Sequence, residues 1–179
     1  MLATILHPAS TTPEAPTLLI AHGLYGSGRN WGVIARRLAD RRDVVAVDMR
    51  NHGESPRFPT QSYPEMAADL AEVIETLRAP VDLLGHSMGG KSAMQLALTR
   101  PDLVRRLIVA DIAPVAYTHD QTRNARAMAA LEEHAWPGNV RELVNLVRRL
   151  SALYSEEVIG VETIEAELAD AMSALESTP

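Results

Sequence analysis

Gly85-His86-Ser87-Met88-Gly89 is a Gly-x-Ser-x-Gly sequence, and its surroundings give it chemical meaning. It follows the apolar run 81–84 and precedes a stretch of small, helix-forming residues at 88–98. A serine at a sharp strand-to-helix turn has its hydroxyl thrust out of the sheet, and flanking glycines remove side chains that would collide there. The N–H of Met88, at the helix start, faces negative charge developing on an attacked carbonyl. A second donor belongs on the loop after the first buried strand, where His22-Gly23-Leu24 supplies the Leu24 N–H. These residues suit nucleophilic acyl transfer. That chemistry needs a base beside the serine and an acid to orient the base. It needs no metal and no cofactor, and none is expected.

The elements that must position these groups are legible as short apolar runs. Residues 17–21, 44–47, 81–84 and 107–110 read as strands, each short and mostly apolar, as in buried parallel sheets. Helical spacing follows each of the first three. Asn30 is expected to cap a helix through Trp31, Ile34, Ala35 and Leu38. Met66, Leu70, Val73, Ile74 and Leu77 recur at helical intervals in 63–77. Strand and helix in alternation imply an open α/β sheet with crossover helices. Residues 2–6 are read as an edge strand or a lead-in.

Four blocks carry a family likeness. They are His22-Gly23-Leu24-Tyr25-Gly26-Ser27, the stretch Val47-Asp48-Met49-Arg50-Asn51-His52-Gly53-Glu54-Ser55-Pro56, Gly85-His86-Ser87-Met88-Gly89-Gly90-Lys91, and Ala110-Asp111-Ile112-Ala113-Pro114-Val115. In that order they resemble the α/β-hydrolase fold, in particular its small bacterial esterases, over about residues 1–122. The resemblance implies a serine ester hydrolase working through an acyl-enzyme on a small-molecule, short-chain carboxylic ester. It also implies Ser87 as nucleophile and Asp111 as triad acid; the alternative for Asp111 is a residue that caps the turn after its strand. Asp48 is a weaker candidate for the acid. In that family the base histidine follows the last strand. Here only His119 and His134 follow Ser87, and neither has the Gly-His setting. The expectation is a truncated, mostly parallel sheet with flanking helices and an incomplete triad. His22 is expected to shape the oxyanion loop, His52 to sit in a turn, and His86 to serve packing.

From about residue 123 the pattern becomes all-helical. Residues 121–133 are Ala-rich, Trp136-Pro137-Gly138 is a break, and Asn139 with Glu142 resembles a capping box. Val140, Leu143, Val144, Val147, Leu150, Leu153 and Tyr154 then form a stripe, and a last acidic helix is expected over 164–175. Residues 130–170 resemble the C-terminal helical lid of the AAA+ domain in NtrC-type response regulators, with Arg141 at the nucleotide-sensing position. No Gly-x-x-x-x-Gly-Lys-Ser/Thr loop exists in the chain, so ATP binding is not expected. Two domains follow, 1–122 and 123–179, the second a helical tail joined as in a chimera. The competing reading is a non-catalytic chimeric or interaction protein whose helical tail packs on the truncated sheet or binds a partner, with self-association through an exposed sheet edge or the tail.

Composition narrows the field further. Seventeen basic against 23 acidic residues in 179 give a net charge of −6, which argues against nucleic acid as partner. There is no cysteine, hence no disulfide and no thiolate metal site. No apolar run is long enough to span a bilayer, and residues 1–16 lack a secretory layout, so a cytoplasmic location is expected.

Overall fold

The computed structural model describes residues 1–77, 79–115, 122–137, 139–153 and 160–176. The chain divides into two compact units, Met1–Val115 and Ala116–Pro179.

The first unit is built on a five-stranded sheet in the order β1-β3-β2-β4-β5, with β1 (Thr4–His7), β2 (Leu18–Ala21), β3 (Val44–Val47), β4 (Val81–His86) and β5 (Val104–Ala110). All neighbours are parallel except β1, which pairs antiparallel with β3. The period of two along each strand feeds two cores. Leu19, Ala21, Val45, Val47, Val81 and Leu83 pack under α2 (Tyr63–Thr76) and α3 (Met88–Thr99). Leu18, Ile20, Val44, Ala46 and Leu84 face α1 (Gly32–Leu38), meeting Ala35 and Ala39. Strands β2 and β3 are therefore buried on both faces, which is why they read as unbroken apolar runs.

Local differences from expectation have local causes. Asn30 caps no helix. It lies inside a 3₁₀ turn, Gly28–Trp31, capped by Ser27, and its Oδ1 accepts the Ser27 N–H at 2.6 Å. Strand β5 begins at Val104, three residues before the run at 107, where Val104 pairs with Val81, and Arg105 beside it bonds Asp82, with Nε 2.8 Å from Oδ1. Arg42 Nη1 reaches the same carboxylate at 2.7 Å. Burial works to raise the Asp82 pKa, but the hydrogen bonds and charge of Arg105 and Arg42 outweigh it and hold the carboxyl below its ordinary range.

Helix α2 starts on a full capping box. Ser62 Oγ accepts the Glu65 N–H, and Glu65 Oε2 accepts the Ser62 N–H at 2.8 Å. Bonds from Ser62 and Thr60, with help from Arg50, lower the Glu65 carboxyl to about 2.

The second unit contains α4 (Thr122–Glu133), α5 (Asn139–Leu153) and α6 (Val161–Glu176). Its core is Ala127, Leu146, Leu150, Ile164 and Leu168. Of the stripe expected on α5, Leu150 packs into this core beside Leu146, while Val140, Leu143, Val144, Val147 and Leu153 are exposed and Tyr154 lies outside the described residues. Arg149 and Glu167 form an ion pair at 2.6 Å beside this core. Helix α6 starts three residues before the expected 164.

Candidate active site

The site lies at the C-terminal edge of the sheet, where β2, β4 and β5 end. Ser87 joins β4 to α3 at φ 50°, ψ −114°, a sparsely populated conformation for an L-residue. Three glycines make the bend possible. A Cβ at Gly85 would come within 2.6 Å of Gly90 Cα, one at Gly89 within 2.6 Å of the His22 carbonyl, and one at Gly90 within 2.7 Å of Ile112 Cγ2. Each neighbour is backbone or the side chain of the next loop, so the elbow and its flanking loops are packed without slack. Ser87 is half-buried, and its N–H donates to the Ala110 carbonyl at 3.0 Å.

That last bond ties the elbow to the end of β5 and places Asp111 next to it. Asp111 has φ 58°, and its side chain is largely exposed. Its Oδ2 lies 3.5 Å from Nε2 of His86. His86 is thus more than a packing residue. It sits on the α1 side of β4, half-exposed, 6.0 Å from the Trp31 ring in edge-on contact and in line with the Asp111 carboxylate. No local signal announces this pair, because the partners stand 25 positions apart, at the ends of adjoining strands.

The loop after β2 backs directly onto the elbow. A Cβ on Gly23 would lie 3.2 Å from Ser87 Cβ and 2.7 Å from His86 Nδ1. Leu24 follows, part-exposed, in a turn closed by the Gly26 N–H to the Gly23 carbonyl at 3.0 Å. Met88, buried, is the first residue of α3, so its N–H has no acceptor in a preceding turn. The structure therefore gathers Ser87, Met88, the Gly23-Leu24 loop and Asp111 at one edge. A cleft of about 390 Å³ opens here, lined by Gly23, Leu24, Tyr25, Trp31, Ile34 and His86. A larger groove of about 470 Å³ between α2 and α3 is lined by Gln95, Thr99 and Arg100 from the far end of α3, away from Ser87.

Of the other histidines, His22, His52 and His134 are held by neighbouring groups. His22 is buried, between the Gly23 carbonyl (2.7 Å) and the Met49 N–H (2.9 Å). His52 links the Arg50 carbonyl at 2.8 Å to the Tyr25 N–H at 3.3 Å. His134 is not a free surface residue. In the second unit its Nδ1 accepts the Trp136 N–H at 3.1 Å, and its ring stacks edge-on against Trp136 at 4.7 Å. His119 lies outside the described residues. Asp48 is buried and pins two loops, accepting from Gly28 N–H at 2.7 Å and Glu54 N–H at 2.8 Å. Among the described residues there is no cluster of three metal-ligating side chains, and no helix is long and apolar enough to cross a membrane.

A doubly covered parallel sheet, a serine elbow and a glycine loop backed against it define a hydrolase architecture, and comparison with known proteins agrees. A family model described as alpha/beta hydrolase fold matches residues 16–152. The chain belongs to the alpha/beta hydrolase fold family. It is 49% identical over 106 residues to the sn-1-specific diacylglycerol lipase ABHD11 of Mus musculus, covering 58% of this chain and 34% of the relative. It is 44% identical over 108 residues to Esterase YbfF of Escherichia coli K12, covering 58% and 42%. Among solved structures it resembles a marine microorganism esterase, with a TM-score of 0.65 and 36% identity over 94% of this chain and 62% of that one. The chain spans between a third and a half of the length of these two curated relatives.

Proposed function

We propose that this chain is a serine hydrolase that cleaves small carboxylic esters. Ser87 Oγ adds to the ester carbonyl carbon, and the Leu24 and Met88 N–H groups receive the oxyanion. The C–O bond then breaks, the alcohol leaves with a proton, and the acyl-enzyme is hydrolysed by water. Asp111 is the candidate acid of the triad. One observation carries this reading: Ser87 is held at φ 50°, ψ −114° on the β4–α3 turn, with the Gly23 loop against it. The esterase and lipase names of the relatives support the choice of ester.

The three histidines described at this edge are committed to backbone groups or to Asp111. Acylation is therefore expected to outpace full turnover. Oxyanion stabilisation and binding alone leave roughly 10³–10⁴-fold over water in serine enzymes stripped of their triad. A fluorophosphonate probe is expected to phosphonylate the intact protein once, with loss of fluoride as HF so that the mass rises by that of the probe less HF, and Ser87→Ala to abolish the adduct. A folded sample, checked by circular dichroism, that takes up no label would overturn the reading.

For residues 130–170 the likeness to an AAA+ lid rests on the sequence from 134 to 150 and runs on through 153–159 to about 168, and the family match through residue 152 overlaps its first part. We infer a packing role for these helices and no nucleotide chemistry.

The second reading, an interaction protein, is favoured by β5. It is the last strand of the described sheet, and Leu107 and Ile108 on it are 37% and 48% exposed. An outer strand with apolar side chains pairs readily with another chain. Self-association is then expected to rise with concentration in light scattering and to weaken when Ile108 is replaced by lysine. A monomer at all concentrations would remove this reading.

A further inference from the structure

The Gly23-Leu24 peptide group is held by its carbonyl. Gly23 O lies 2.7 Å from His22 Nδ1 and accepts the Gly26 N–H at 3.0 Å. The proton on His22 can be placed by elimination. Met49 N–H donates to Nε2 at 2.9 Å, so Nε2 is the bare acceptor and Nδ1 carries the hydrogen that bonds Gly23 O. The ring is 1% exposed and has no room to turn over. A trans peptide unit is planar, with its N–H pointing opposite to its C=O. Holding the Gly23 carbonyl from two sides therefore also sets the direction of the Leu24 N–H.

We propose that His22 is a positioning residue: its Nδ1–H, together with the Gly26 N–H, fixes the Gly23-Leu24 peptide plane and so aims the Leu24 N–H at the oxyanion of the Ser87 adduct. The proposal rests on the reading of Leu24 as a donor. The groups around the ring agree with a neutral imidazole. Burial lowers the His22 pKa first, and the neighbouring His52, 5.1 Å away ring to ring, and His86 lower it further; the Gly23 bond and Asp48 act in the opposite direction without reversing the shift. A proton on Nε2 would also strand the Met49 N–H without its acceptor.

Two half-mimics separate aiming from mere packing. In His22→Asn the amide nitrogen stands near the place of Nδ1 and keeps the donor to Gly23, but nothing reaches Met49. In His22→Gln the side-chain oxygen stands near the place of Nε2 and keeps the acceptor for Met49, but the donor to Gly23 is lost. The readouts are the rate of fluorophosphonate addition to Ser87, the melting temperature of each variant, and the ¹⁵N shifts of the wild-type His22 ring. Asn is expected to slow labelling about threefold and Gln about 100-fold, the scale of a lost oxyanion donor, with the two melting temperatures similar. The ring is expected to show a protonated Nδ1 and an unprotonated Nε2 at about pH 7. Equal labelling rates for the two variants, rates that simply follow the melting temperatures, or a His22 ring with its proton on Nε2 at that pH would each overturn the proposal. If wild-type protein itself takes no label at Ser87, the active-site reading fails and the proposal falls with it. If wild type labels while the variants do not separate, the active site stands and His22 has no aiming role.

Discussion

Arg50→Met is expected to cost about 3–5 kcal/mol of folding stability, the penalty for removing one partner of a buried ion pair. The Arg50 guanidinium meets Asp69 of α2 in a fork, Nε to Oδ2 at 2.6 Å and Nη2 to Oδ1 at 2.9 Å. Its Nη1 reaches Glu65 at 3.1 Å and the Thr60 carbonyl at 3.2 Å, and its face lies 4.7 Å from the Phe58 ring. Both charged groups are buried. Methionine fills much of the volume but leaves the Asp69 carboxylate in a poorly solvated place with no counter-charge. Urea melts at neutral pH measure the cost. The double change Arg50→Met with Asp69→Leu is expected to recover most of it, since two apolar side chains replace the pair without stranding either charge. A single-variant cost below about 1 kcal/mol would mean that the pair behaves as an exposed one. The effect reaches the site as well. The loop anchored by Arg50 carries Gln61, whose Nε2 lies 3.3 Å from Met88 Sδ at the start of α3.

Gly85→Ala is expected to slow labelling of Ser87 about 100-fold while changing no reactive group. The added methyl would overlap the Gly89 carbonyl and approach Gly90 Cα to 2.6 Å. All of these neighbours are backbone, so the turn itself must open. Overpacking of this kind costs about 1–3 kcal/mol in stability, whereas moving a nucleophile by about 1 Å costs about 100-fold in rate. Probe kinetics and thermal melts on the same preparation separate the two. Gly32→Ala is the control, because there the methyl meets only the end of the Arg36 side chain, at 3.4 Å. Equal labelling by both variants would show that the bend tolerates displacement.

Strands β2 and β3 and the Gly-x-Ser-x-Gly turn were readable because burial on both faces and a crowded turn each restrict residue type locally. Helix α2 is readable through its apolar row, while its Ser62–Glu65 box emerges only in the structure. What the chain order concealed is pairing across distance. Nothing adjacent to Asp82 announces Arg42 and Arg105, and nothing adjacent to Asp69 announces Arg50. His86 meets Asp111 only because β4 and β5 end side by side. The direction of β1 was equally hidden: nothing in its four residues of alternating burial shows that it runs antiparallel to β3. Helix α5 shows the limit of periodicity. It has apolar residues on more than one face, and the helices beside it decide which face is covered.

The angles at residue 87 have a thermodynamic meaning for the whole molecule. Such a conformation in a residue with a Cβ is disfavoured by about 1–3 kcal/mol relative to relaxed backbone, and it survives because the surrounding turns leave no alternative. The folded protein thus carries a small reserve of tension at this turn, returned only when the chain unravels. Glycine at that position would dissolve the tension, leaving a sturdier molecule without the proposed nucleophile.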